Sequence, residues 1–139
     1  ASDMSLLTAL MVFYLAASLI HFIHNAELLQ RYPGLPASWT RLDVYVGWAL
    51  MTCLGACGWG LVRSGRTRFG LLLIAVYAAC GLDSLGHYVV APFSAHTIDM
   101  HATILLEVSA ATLVMLECVH LLAKTLGQDR KRNPMEPER

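Results

Sequence analysis

The chain has 139 residues, 56% of them hydrophobic and only 14% charged, with a mean hydropathy of +0.53. Soluble domains average roughly 25% charge, so this composition argues against an ordinary soluble domain. A formal net charge of zero also removes the basic field that nucleic-acid binding needs.

Four windows reach the ~20 predominantly apolar residues that a spanning helix requires. They cover about 5–28, 42–62, 69–90 and 97–126. Water is absent from the bilayer core, so a spanning backbone must satisfy its own hydrogen bonds, as a helix does. The expected fold class is all-α. It is an integral membrane four-helix up-down-up-down bundle over 1–127, followed by a charged tail over 128–139 that lies outside the membrane.

In chain order, Asp3 stands where a secretory signal would carry basic residues, and no small-residue cleavage site follows. The first segment therefore reads as a retained helix. RYPGLPASWT, from Arg31 to Thr40, stops it with Pro33, Gly34 and Pro36. The second helix carries LGACGWG, from Leu54 to Gly60, whose small residues predict close helix packing. RSGRTR, from Arg63 to Arg68, is a tight basic turn. Pro92 and Phe93 mark a third turn, after which Ser94 is a candidate cap of the fourth helix. Cys53, Cys57, Cys80 and Cys118 all lie in apolar stretches with no CxxC pair, and read as small packing residues. A disulfide framework belongs to small secreted loop-rich chains instead.

Basic residues set the expected orientation. Arg63, Arg66, Arg68, Lys124, Arg130, Lys131, Arg132 and Arg139 fall at one end of such a bundle, and only Arg31 and Arg41 at the other. Eight against two is a positive-inside bias, which predicts cytoplasmic termini and, in a bacterial inner (plasma) membrane, a periplasmic opposite face. Tyr32, Trp39, Tyr45, Trp48, Tyr88 and Phe93 are expected near that outer face as an aromatic belt.

This topology gathers polar and ionisable groups at the outer end. His21, His24, Asn25 and Glu27 close the first helix, and Asp43 opens the second. Asp83 and His87 lie near the end of the third, while His96, Asp99, His101 and Glu107 open the fourth. Glu117 and His120 are left near the opposite end, as an expected interfacial pair. Residues i, i+3 and i+4 share a helix face. That joins His21 with His24, Asp83 with His87, and His96, Asp99, Thr103 and Glu107 in one stripe, with Tyr14 and Ser18 extending the His21 stripe inward. His101 points elsewhere. Depth favours His21, His87, Asp83 and Glu107 as the buried members and puts His96 and His101 at the rim.

Ionisable groups in hydrocarbon are costly and persist where they pair, bind something or face water. Imidazole and carboxylate together suit zinc, iron or copper, and bundle cores build metal sites from inward Glu and His. The expected ligand set is His21, His24, His87 and Glu107, with Asp83, Asp99 and His96 supporting or replacing them. The Asp83 carboxylate would orient the His87 ring. In a haem b version, with the architecture of small four-helix membrane cytochromes, the axial candidates are His21, His24, His87 and His101. In a metal-free version, Asp83 and Glu107 are acid/base groups beside a pocket for a proton, a quinone or a lipid-like ligand. A third reading is an accessory subunit that partners other membrane subunits or copies of itself within the lipid bilayer. The chain contains no G-x-S-x-G, Walker or HExxH motif, so an enzymatic reaction is left unassigned.

The segments HFIHN, YPGLP, GLDSLGHY and PFSAHT resemble those of small four-helix bacterial integral membrane proteins of no characterised activity. The resemblance implies the fold and a bacterial membrane, and brings no site residues with it.

Overall fold

The computed structural model describes residues 2–132, and among them every regular element is helical. Helix α1 spans Ser2–Glu27, α2 Arg41–Arg63, α3 Thr67–Leu82, the single turn α4 His87–Val90, and α5 Ile98–Arg132. Four stretches are long and apolar enough to cross a membrane: Asp3–Glu27, Arg41–Arg63, Thr67–Val90 and Ile98–Arg132.

Local chemistry accounts for most of the boundaries. Thr40 and Asp43 form a reciprocal capping box that starts α2: the Asp43 N–H donates to Thr40 Oγ1, and the Thr40 N–H to Asp43 Oδ2 at 2.8 Å. The acidity of Asp43 thus serves the helix start. Gly65, at φ +86°, turns the chain between α2 and α3. Gly34, at φ +77°, lets the loop after α1 lie against the end of α4, where a Cβ would come within 2.5 Å of the Val90 carbonyl oxygen.

Three expectations about the helices are corrected. The third span is not one α-helix: Asp83–Gly86 winds as a 3₁₀ turn between α3 and α4. This retightening changes which residues share a face. Ser94 lies in another 3₁₀ turn, Phe93–Ala95, and Thr97 takes the capping place instead, accepting from the Met100 N–H at 3.5 Å. The last helix continues through Gln128 to Arg132, so the start of the predicted tail is helical, while 133–139 lie outside the described residues.

Each long helix packs on two others: α1 on α2 and α5, and α3 on α2 and α5. Cross-helix contacts fix their relative level. Lys124 Nζ meets Asp3 at 2.6 Å, Trp48 Nε1 donates to Ser18 Oγ at 3.0 Å, and the Arg41 guanidinium meets Glu27 at 3.2 Å. The core contains Leu7, Tyr14, Leu71, Ile74, Val114 and Cys118, all fully buried. Small residues make its close approaches, as the LGACGWG run predicted. Gly55 accommodates the Tyr77 ring, and a Cβ on Gly58 would sit 2.8 Å from the Gly70 carbonyl. Gly81 leaves room for Tyr14, whose hydroxyl donates to the Tyr77 carbonyl at 2.8 Å. All four cysteines are free thiols, but Cys53 and Cys57 lie exposed on the outer face of α2 and do not pack inside.

Candidate functional site

Three helices and a loop bring a buried polar layer together at the Glu27 end of α1. The proline loop contributes first. Tyr32 precedes Pro33, which holds it extended at φ −72°, ψ 119°. Its side chain therefore turns back into the bundle and does not join an interfacial belt; only 4% of it is exposed. The Tyr32 ring lies 5.1 Å from the His87 ring centroid and 6.3 Å from that of His21. Burial pushes its phenol up to about 12, so it remains a hydrogen-bond donor at ordinary pH.

That donor fixes His24. The Tyr32 hydroxyl donates to His24 Nδ1 at 2.7 Å, which leaves the proton of the neutral ring on Nε2, donating to Asp99 Oδ2 at 2.9 Å. Both ring nitrogens of His24 are occupied. The structure thus draws His24 and Asp99 into a chain of their own, apart from the ligand set in which His24 was expected. Asp99 is steadied further by the Thr97 hydroxyl.

The inner group is His21, Glu107 and Ser84. Glu107 is fully buried, and the Ser84 hydroxyl donates to its Oε2 at 2.6 Å. The Asp83–Gly86 turn places Ser84 there. His21 Nδ1 meets Thr103 Oγ1 at 3.2 Å, and that hydroxyl is committed to the Met100 carbonyl at 3.2 Å. In this arrangement His21 Nδ1–H donates, and its Nε2 lone pair faces Glu107 Oε2 at 3.7 Å. Glu107 Oε1 has no hydrogen-bond partner among the described residues.

His87, 5.3 Å from His21 between ring centroids, belongs to a different pair. The Asn25 amide meets its Nε2 at 3.2 Å. The expected carboxylate orienter, Asp83, is exposed at the start of the 3₁₀ turn, because that turn breaks the α-helical i, i+4 relation. With the Asn25 amide donating, neutral His87 carries its proton on Nδ1. That Nδ1–H donor and the Asn25 Oδ1 acceptor are both buried and unmatched among the described residues. Such groups cost free energy unless something pairs with them.

Both residues line a cleft of about 750 Å³ between the end of α1, the start of α2 and the end of α3. Its walls include Phe22, Leu35, Trp39, Val44, Cys80 and Val90, and Asp83 and Ser84 also reach it. The size is that of an ordinary small-molecule site, mostly apolar with a few convergent polar groups.

His96 and His101, the expected rim, form an aromatic cluster with Tyr88 and Phe93. His101 stacks on Phe93 at 3.9 Å, and its Nδ1 meets the Tyr88 hydroxyl at 2.8 Å. His96 is buried, with Nδ1 on the Pro92 carbonyl at 3.0 Å. At the far end, Glu117 and His120 do not form the expected pair: His120 is exposed, and Glu117 Oε1 is a buried oxygen without a hydrogen-bond partner among the described residues.

Sequence reasoning placed His21, His87 and Glu107 in one layer. It left Tyr32, Ser84 and Asn25 out of the candidate set. Pro33 after Tyr32 was the available signal for the first; the glycines flanking LDSL were a weak one for the second. Among the described residues, no three His, Cys, Asp or Glu side chains are arranged to hold a metal ion. Comparison with protein families, curated proteins and solved structures finds no match for this chain.

Proposed function

We propose that the protein is a membrane-embedded binding pocket for a lipophilic ligand with a carbonyl or hydroxyl head, such as a quinone or a lipid-like molecule. The observation that carries this reading is the unmatched pair His87 Nδ1–H and Asn25 Oδ1, buried on two residues that line the cleft. A carbonyl oxygen accepts from the first, and a hydroxyl also donates to the second. The apolar walls suit the rest of such a molecule.

Behind this pair, His21, Glu107 and Ser84 supply a buried acid/base group. A proton passes between Glu107 Oε2 and His21 Nε2 once their 3.7 Å separation shortens to hydrogen-bond length. Asp83, exposed at the cleft, is the group placed to exchange a proton with water.

In its membrane setting, the eight-to-two division of basic residues supports a cytoplasmic location for the Ser2 end of α1 and the Arg132 end of α5. The contacts of Asp3 with Lys124, and of His24 with Asp99, support the up-down-up-down order. The cleft then opens on the periplasmic side of a bacterial inner membrane.

A second reading keeps the transition metal. It is favoured by Glu107 Oε1 and His87 Nδ1, which lack partners beside His21. It needs His21 and His87 to rotate, and it loses His24 to Tyr32 and Asp99. Haem ligation by His101 requires breaking its stack on Phe93. Elemental analysis and an optical spectrum of the purified protein, with mass analysis of an organic extract, decide between the readings. The pocket reading predicts an extractable lipophilic molecule, no stoichiometric metal and no Soret band. One zinc, iron or copper per chain, or a Soret band, overturns it.

A further inference from the structure

A second cleft, of about 900 Å³, lies at the opposite end of the bundle where α2 turns into α3, and it is independent of the histidine site. Its mouth is polar, with Arg66 and Arg68 from the turn and the start of α3, and Thr125 and Asp129 from α5. Its wall is apolar: Phe69, Leu72, Leu73 and Val76 continue down α3. Phe69, Leu72 and Val76 are 68%, 53% and 50% exposed, at the 3- and 4-residue spacing that forms one stripe. At a rise of ~1.5 Å per residue, the stripe runs roughly 10 Å inward from the arginines.

The charges at the mouth do not cancel. Arg68 is ion-paired with Asp129, which neutralises both. Lys124 is paired with Asp3 in the same way. Arg66 is exposed and makes no ion pair among the described residues. Arg63, one turn back on α2, stacks over the Trp59 ring at 5.3 Å and makes no ion pair among the described residues. A net positive mouth continuous with an exposed apolar stripe matches one kind of molecule, an anionic head attached to a hydrocarbon chain. Free phosphate would use the arginine and leave the stripe unexplained. A zwitterionic lipid would use the stripe and gain little from the arginine. Basic pockets between membrane helices recognise anionic headgroups on these terms.

We infer that this cleft is a binding site for an anionic phospholipid of the surrounding leaflet, with its phosphate at Arg66 and an acyl chain along Phe69, Leu72 and Val76. The test is native mass spectrometry of the full chain in detergent. Phosphatidylglycerol or phosphatidylcholine of matched acyl chains is added at equal concentration. Phosphatidylglycerol adducts are expected to exceed phosphatidylcholine adducts about five-fold, and Arg66→Gln to abolish that preference. Lys131→Gln, which removes the same charge from the exposed end of α5, is expected to leave it intact, and Arg66→Lys to retain most of it. Equal adducts of the two lipids, or an unchanged preference in Arg66→Gln, overturn the site. So does an equal loss in Lys131→Gln, which would reduce the effect to net charge. Displacement of the lipid by millimolar inorganic phosphate also overturns it, because the acyl stripe would then contribute nothing.

Discussion

Replacing Glu107 separates a carboxyl kept for function from one kept for the fold. Glu107 is fully buried, takes one hydrogen bond from Ser84 at 2.6 Å and leaves Oε1 without a partner. In Glu107→Leu the lost Ser84 bond costs about 1 kcal/mol, since polar contacts between membrane helices average ~0.6 and reach ~1.7 kcal/mol. Removing the unpartnered oxygen returns about 1–3 kcal/mol. The single variant should therefore unfold close to wild type. Adding Ser84→Ala removes the stranded hydroxyl, and the double variant should be more stable by about 1 kcal/mol, roughly 4 °C for a chain of this size. Glu107→Gln preserves shape and the Ser84 contact and should shift the midpoint by less. The assay is thermal unfolding in detergent micelles followed by circular dichroism. A loss of more than about 3 kcal/mol in the Ser84→Ala/Glu107→Leu double variant would refute the reasoning, because Glu107 would then be a structural keystone on the scale of a broken buried pair.

The glycines give a paired test. Gly55→Ala and Gly81→Ala each place a Cβ 2.4 Å from a tyrosine atom and should cost about 1–3 kcal/mol in the same unfolding assay. Gly60→Ala, where a Cβ meets nothing within 4 Å, should be stabilising by up to about 1 kcal/mol through helix propensity. For Tyr32, a folded value of about 12 against an ordinary 10 means that the unfolded chain loses this proton first as pH rises. Stability should therefore be unaffected by Tyr32 below about pH 10 and fall between about 10 and 12, by at most ~1.4 kcal/mol per pH unit. Tyr32→Phe should remove that part of the slope, which difference unfolding curves over that range would show. Cys53 and Cys57, which face the lipid half-way along α2, should resist a water-soluble maleimide in the folded protein, as buried Cys118 does, and react only after denaturation, as mass analysis of the labelled chain would reveal.

The fold was legible because hydropathy and turn chemistry act locally. The α2 window of about 42–62 lies within one residue of Arg41–Arg63 at each end, and Pro33, Gly34 and Pro36 sit where α1 has ended. Orientation within the bundle was less legible. A membrane helix is apolar on every face, so periodicity does not say which side is inside. This is why Cys53 and Cys57 were expected in the core. The candidate site was half legible. His21, His87 and Glu107 announced themselves as ionisable groups at one depth, a property of position along each helix. Their partners depended on geometry that spacing does not encode. A 3₁₀ turn with no proline to mark it carried Asp83 away from His87 and delivered Ser84 to Glu107. The Asn25–His87 contact joins residues 62 apart in sequence, and Tyr32 reaches His24 because the loop folds back.

Titration with a quinone measures directly whether the cleft binds a lipophilic carbonyl compound. Purified protein treated with a chelator would be titrated with a decyl-substituted benzoquinone, with Trp39 in the cleft wall reporting by fluorescence quenching. Saturable quenching is expected in the wild type without added metal. Affinity should weaken about ten-fold in His87→Phe, the loss of the one hydrogen bond that a quinone carbonyl accepts there. Quenching that does not saturate, unchanged affinity in His87→Phe, or binding restored only by zinc, iron or copper would contradict the pocket reading.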